Sequence, residues 1–271
     1  MGFQIENGVM KKYTEEWGVT EVVIPDSMTS IGEGAFAWCS SLTTVTIPDS
    51  VTQIGSSAFS DTRWLNNYPN DLVIVGKGVL YKYKGKDTNV VIPDNVMSIG
   101  ECAFQWCKSL TTVTIGDSVT SIGRYAFYDC SSLTTVTIGN SVTSIGDASF
   151  KDCTSLSYIK LSQNLSKLTK NMFDGSKFSA IYSCINGVTG VASSLKRKFY
   201  ADHEDKHTSD LMSFLRDNID SKTLKATAFN KLAAFVSDNI EDFSEEDVKE
   251  LITLAEKKKA KAVIEIFKKM S

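Results

Sequence analysis

The stretch LTTVTIGDSVTSIGRYAFYDCSSLTTVTIGNSVTSIGDASFKDC, Leu110 to Cys153, writes one string of residues almost twice. Ile115 and Ile138, Phe127 and Phe150, and Cys107, Cys130 and Cys153 are all spaced by 23 positions, so three residue types fix one period. Self-similarity at that length marks a solenoid, in which no unit can bury its apolar face alone and each stacks on its neighbours. Such an array offers a long surface rather than a cavity.

Within one unit, Val136 and Ile138 alternate with Thr135 and Thr137, the period-2 signature of a strand buried on one face. Val, Ile and Thr are β-branched and suit a pleated, half-buried surface. Gly139-Asn140 punctuates the strand, as Pro25-Asp26 and Pro48-Asp49 do in earlier units. A shorter apolar pair follows, Val142 and Ile145, closed by Gly146. The unit ends on Phe150 and Cys153, read as a turn of α- or 3₁₀-helix leading to the next strand at Leu156.

The pattern L-x-x-V-x-I-P-x-S-V-x-x-I-G-x-x-A-F-x-x-C-x-S resembles the leucine-rich repeats of the BspA-like family of bacterial and protist proteins. About seven near copies repeat it over residues 1 to 187. The resemblance implies a right-handed, gently curved solenoid with a parallel sheet along one face. It also implies a surface or secreted protein that binds other proteins or cells, as many members of the family do.

The chain divides into a mainly β leucine-rich repeat solenoid, residues 1–187, and a small all-α domain, residues 188–271. Residues 3–13 read as a hairpin around Asn7-Gly8, a favoured two-residue turn. The second unit breaks after Phe59: Ile47 and Ile92 stand 45 apart, and the insert LVIVGKGVLYKYKG repeats the hairpin design over about 72–84, with Gly78, Val79 and Tyr83 matching Gly8, Val9 and Tyr13. Regular units resume at Val91, decay after Leu161, where Asp174-Gly175-Ser176 reads as the loss of the cysteine and one residue, and close on a strand near Ala180 to Ser183. From Val191 the period becomes 3.6, giving five short helical stripes, with Ser221 and Ser244 as N-caps and Asp247 completing a near capping box. This helical domain is expected to pack on the last coil and cover its open sheet edge.

Composition narrows function. Hydrophobic content of 42% and a net charge of −3 fit an ordinary soluble chain and recommend neither nucleic acid nor an anionic membrane, both of which ask for a basic patch. No apolar run is long enough to insert in a membrane. The N-terminus, MGFQIENGVMKKY, carries no basic-then-apolar signal segment, so the chain as written points to the cytoplasm, whereas the family resemblance points to the surface with a trimmed signal. Cys39, Cys107, Cys130 and Cys153 are read as one site in successive units and are expected to form a row of parallel thiols about 5 Å apart, too poorly oriented for disulfides and acting as small apolar filler. Cys102, at a variable site, reads as exposed.

One catalytic pattern is present. His203-Glu204-Asp205-Lys206-His207 fits H-E-x-x-H, in which two histidines grip zinc and the glutamate activates water. Lys196 to Asp210 is polar on nearly every side, no third ligand follows, and Thr208 or Ser209 reads as a helix start, so the segment reads as a solvated linker helix. A zinc-dependent hydrolase is kept as the alternative, beside a purely structural assembly role. The primary expectation is a non-enzymatic protein-binding or adhesion module with no cofactor, no resident metal and no small-molecule substrate. Its binding residues are the outward strand positions Thr44, Thr46, Thr112, Thr114, Thr135, Thr137, Tyr158 and Lys160, taken to stand in register and to draw affinity from many modest contacts. Trp17, Trp38, Trp64, Tyr81, Tyr83 and Trp106 are candidate anchors, unless they pack over the coil edges.

Overall fold

The structure, a computed structural model, describes residues 2–14, 18–156, 158–162, 164–166, 171–176, 244–261 and 264–265. The chain opens with hairpin β1 (Gly2–Glu6) and β2 (Val9–Thr14), joined through Asn7 and Gly8, both at positive φ. Each of the first five coils then contributes a long strand, a short strand and a turn segment, and the sixth, among the described residues, a long strand and a turn segment. The long strands are β3 (Glu21–Val23), β5 (Thr44–Thr46), β9 (Asn89–Val91), β11 (Thr112–Ile115), β13 (Thr135–Ile138) and β15 (Tyr158–Lys160). The short strands are β4 (Ser30–Ile31), β6 (Gln53–Ile54), β10 (Ser98–Ile99), β12 (Ser121–Ile122) and β14 (Ser144–Ile145). Between β6 and β9 lie α1 (Arg63–Asn66) and a second hairpin, β7 (Leu72–Val75) and β8 (Val79–Tyr83).

Phe36, Phe59, Phe104, Phe127, Phe150 and Phe173 mark six coils rather than seven. The coils build two parallel ribbons, where the sequence reading held one: the V-x-S-I segment is itself a strand, with Ser98 paired to Ser121 and Ile99 to Ile122. In the long ribbon Thr112, Val113 and Thr114 pair with Thr135, Val136 and Thr137, so identical residues stack and every aliphatic side chain meets its own kind below. Val113, Ile115, Val136 and Ile138 are buried. The glycine after each short strand is fixed by close approach of the coils: a Cβ at Gly146 would lie 2.5 Å from the Arg124 nitrogen, and at Gly55 2.5 Å from that of Glu33.

The segment around each phenylalanine is neither α- nor 3₁₀-helical. Alternate N–H groups close short turns, as Ala37 to the Gly34 carbonyl and Cys39 to that of Phe36, while those between donate to the next coil, as Phe36 to Ala58 at 2.7 Å and Trp38 to Ser60 at 3.0 Å. A helix would use every N–H internally and leave the coils unlinked on this side. Two left-handed residues per coil permit the alternation, among them Ser57, Cys102, Tyr125 and Ala148 at one site and Trp38, Trp106, Asp129 and Asp152 at the other. The variable site is thus backbone-constrained, and Cys102 on it is half-buried, not exposed.

The phenylalanines form ladders. Phe104, Phe127, Phe150 and Phe173 stack with centroids 4.8, 5.1 and 5.5 Å apart and near-parallel planes, on a foot supplied by Tyr83 at 5.0 Å. Phe36 and Phe59 stack at 5.0 Å on Tyr13. Each stacked pair adds about 0.5–1.5 kcal/mol beyond its burial. Phe173 to Ser176 keep the register of Phe150 to Cys153, so the last coil loses no residue; Ser176 stands at the cysteine site and donates to the Phe173 carbonyl at 2.7 Å.

Two apolar cores result, one spanning Met10 to Tyr81 and one beginning at Leu80. The second hairpin is the seam: Val73, Val79 and Tyr81 belong to the first core, Leu80 and Tyr83 to the second. Tyr81 meets Phe59 edge-on at 5.5 Å, and its hydroxyl accepts the Phe59 N–H at 3.0 Å, in place of the carbonyl a next coil would offer. Trp64 of α1 packs on Phe59 at 4.6 Å, and the Lys84 ammonium donates to the carbonyls of Leu65 and Tyr68.

In the C-terminal part, α2 (Glu245–Lys257) is capped by Ser244 and Asp247 in a capping box, with Leu251, Leu254 and Ala255 buried. The last helical stripe is described at 258–261 and 264–265, with Ala260 buried and Ile264 packed against the second core; the first three stripes, Ser221, Cys184 and the strand near Ala180 lie outside the described residues.

Candidate interaction surfaces

The eight outward strand positions fall on one kind of face but not on one sheet. Thr112, Thr135 and Tyr158 form a row with Asn89, and Thr114, Thr137 and Lys160 a row with Val91. Thr44 and Thr46 pair with Glu21 and Val23 in a separate two-stranded sheet, because the insertion between Phe59 and Thr88 takes the place of one strand. Thr44, Thr46 and Thr114 are exposed; Thr112, Thr135, Thr137 and Lys160 are half-buried. The Thr112 hydroxyl donates to Asn89 Oδ1 at 2.6 Å, so it is already committed to holding two coils together. The neighbouring threonines outside the rows do the same: Thr111 and Thr134 donate to the carbonyls 23 residues before them.

A second face went unread in the sequence. Along the short ribbon a groove of about 710 Å³ runs past Ser30, Gln53, Lys77, Ser98, Ser121 and Arg124, crossing from the first core to the second. Ribbon bonds continue through the seam: Lys77 donates to the Val51 carbonyl and Met97 to that of Gly78. The signal that could have found this face is the recurrence of Ser98, Ser121 and Ser144, each before a buried isoleucine, at the 23-residue spacing.

At the seam, a smaller recess of about 470 Å³ lies between the second hairpin and β9, lined by Asp71, Leu72, Ile74, Tyr83, Asp87 and Val91 among others. The Tyr83 hydroxyl accepts the Asp87 N–H at 2.9 Å. Burial raises its pKa most, and the carboxylates of Asp87 and Asp71 add to the rise.

Of the candidate aromatic anchors, Trp64, Tyr81 and Tyr83 are buried, packed over the ends of the two phenylalanine ladders, and so offer nothing to a partner. Burial pushes the Tyr81 hydroxyl up to about 12. Trp38 and Trp106 are 76% and 60% exposed on the turn side, one in the first coil of each core; Trp17 lies outside the described residues.

The cysteine row is present as free thiols at Cys107, Cys130 and Cys153, while Cys39 stands apart because buried Thr62 holds the next place and caps α1. Cys130 donates to the Phe104 carbonyl and Cys153 to that of Phe127, each at 3.0 Å. The hydrogen bond with Cys130, then burial, raises the Cys107 pKa. For Cys130 the bond with Cys107 lowers it, but the bond with Cys153 and burial outweigh that. Both thiols therefore stay protonated and unreactive at neutral pH.

His203, Glu204 and His207 lie outside the described residues; among the described residues no three His, Cys, Asp or Glu side chains gather to hold a metal ion. No helix among them is long and apolar enough to cross a membrane.

No curated protein matches the chain. Among solved structures, a leucine-rich repeat protein of T. pallidum is 26% identical over 64% of this chain and 74% of its own, with a TM-score of 0.35. One from Bacteroides ovatus ATCC 8483 is 28% identical over 58% of this chain and 41% of its own, with a TM-score of 0.36. Another, from Bacteroides capillosus ATCC 29799, is 32% identical over 38% of this chain and 84% of its own, with a TM-score of 0.35. The description BspA type leucine-rich repeat region matches residues 10–87 and 73–194 in six copies, and this chain belongs to that leucine-rich repeat family.

Proposed function

We propose that the chain is a non-enzymatic protein-binding module that presents its long ribbon to a protein ligand, with a surface or secreted location as the family resemblance implies. The observation that carries the reading is the pair of in-register rows, Thr112–Thr135–Tyr158 and Thr114–Thr137–Lys160, on strands whose other side chains are spent on the core. Such rows are rigid before binding, so little conformational entropy is lost when many modest contacts form. Thr112 supports the surface by tying β9 to β11, whereas Thr114 is the exposed member free to meet a ligand.

The test compares the full chain with a Thr114→Glu, Thr137→Glu, Lys160→Glu triple variant, each used as bait against extracellular-matrix and host-cell protein fractions. Any protein held stoichiometrically by the parent is purified and titrated against both. At least tenfold weaker binding by the variant, with an unchanged thermal melt, supports the reading. Equal affinity for both chains, or no stoichiometric ligand from any fraction, overturns it.

A further inference from the structure

The long ribbon lacks one strand at the seam. Ile47 and Ile92 hold the same place in their coils but are separated by 45 residues, close to two periods, and β5 and β9 are the edge strands of the two sheets on either side. The ladder from β9 to β11 runs through the Thr88 carbonyl, which accepts from Thr112 at 3.0 Å, and the Ile92 N–H, which donates to Thr114 at 2.9 Å. Because strand residues alternate in direction, Asn89 and Val91 turn their backbone N–H and C=O the other way. Those groups have no backbone partner among the described residues.

The recess along this edge combines three features. Leu72 and Ile74 give it a partly buried apolar side, Val91 stands 71% exposed at its rim, and Asp71 and Asp87 are the charged residues of its lining, which holds no cation. An unpaired edge beside an apolar hollow accepts an extended chain by strand addition, the backbone supplying affinity and alternate side chains specificity. Two carboxylates with no basic neighbour in the lining favour a cationic guest.

We infer that the β9 edge takes an extended segment of a partner protein as the missing strand, with a lysine or arginine of that segment against Asp71 and Asp87. The inference rests on the reading of the chain as a protein-binding module, but it assigns a second, narrower place and a partner chemistry.

The probe is the acetylated peptide amide Leu-Thr-Lys-Val-Lys-Ile, with its glutamate-for-lysine counterpart, added to the full chain while residue-resolved hydrogen exchange and fluorescence anisotropy are followed. The basic peptide should slow exchange of the Asn89 and Val91 amides at least tenfold, and the acidic one should not. A double Asp71→Asn, Asp87→Asn variant should bind at least fivefold more weakly, and Val91→Pro, which removes an edge N–H, should abolish binding. If Val91→Pro does not fold, N-methylating the peptide on the amides that face β9 makes the same cut. No slowing at saturation, equal slowing by both peptides, or slowing that grows with protein concentration in the absence of peptide, which would give the edge to a second copy, overturns the proposal. A protein ligand lost by the triple long-ribbon variant, with these two amides unprotected throughout, would leave the module reading intact and remove this one.

Discussion

The two cores obey one stacking rule and end differently. The first carries two coils on Tyr13 and stops at Phe59, where Tyr81 and Trp64 meet the ring at an angle. The second carries four on Tyr83, with every phenylalanine stacked on the last. A hairpin tyrosine can therefore found a ladder, with its ring tilted 30° or 31° from the first phenylalanine as at Tyr13 and Tyr83, or finish one edge-on, as at Tyr81. The difference also teaches that the seam is selective: the aromatic stack and the long ribbon break there, while the short strands, though they fall in two sheets, stay linked by the Lys77 N–H to the Val51 carbonyl.

The strongest way to break this comparison is to remove a ring from the longer ladder. Phe127→Ala, with neighbours on both sides, should cost about 3–5 kcal/mol in a denaturant titration, and exchange should quicken over β10 to β14 far more than over β3 to β6. Uniform quickening would mean one cooperative block. At the seam, Tyr81→Phe leaves the buried Phe59 N–H without its acceptor and should cost about 1–3 kcal/mol.

The pH dependence sharpens that variant. Tyr81 holds its proton to about 12 in the fold, whereas the unfolded chain releases it near ~10. Its raised pKa therefore contributes stability that is whole below pH ~10 and lost as pH rises through about 12. The gap between parent and Tyr81→Phe should narrow over that window in alkaline denaturation curves. Lys84→Met, which strips the ammonium from the carbonyls after α1, should cost about 1 kcal/mol because the site is half open to water. Thr112→Val, cutting one exposed hydroxyl link to Asn89, should cost about 0.5 kcal/mol or less in the same titration and leave exchange on the first core unchanged.

The repeat was legible because burial selects residue type directly: Val113, Val136, Phe127 and Phe150 recur since identical coils press identical side chains together. The hairpins were legible from Asn7-Gly8 and from the second copy of that design at Gly78 to Tyr83. The Ser244 cap was legible because its partner Asp247 is three residues away. What escaped was set by backbone direction. Cys102, Tyr125 and Ala148 share no chemistry, only a left-handed φ, and a constraint on φ that any of these residues can satisfy leaves no compositional trace. The short strands were missed because two residues are too few to show a period.

The sequence by itself determined the 23-residue period, which side chains enter the core, and where the regular array is interrupted, because each of these is a local demand repeated often enough to read. Only the tertiary structure decided that the interruption leaves the two long-ribbon sheets apart but keeps the two short-strand sheets linked by the Lys77 N–H to the Val51 carbonyl, that Thr44 and Thr46 sit on a different sheet from Thr112 to Lys160, and that Trp64, Tyr81 and Tyr83 are spent inside. Those outcomes depend on how two stacks meet across a hairpin, and contacts between residues tens of positions apart follow no repeat that a single chain could display.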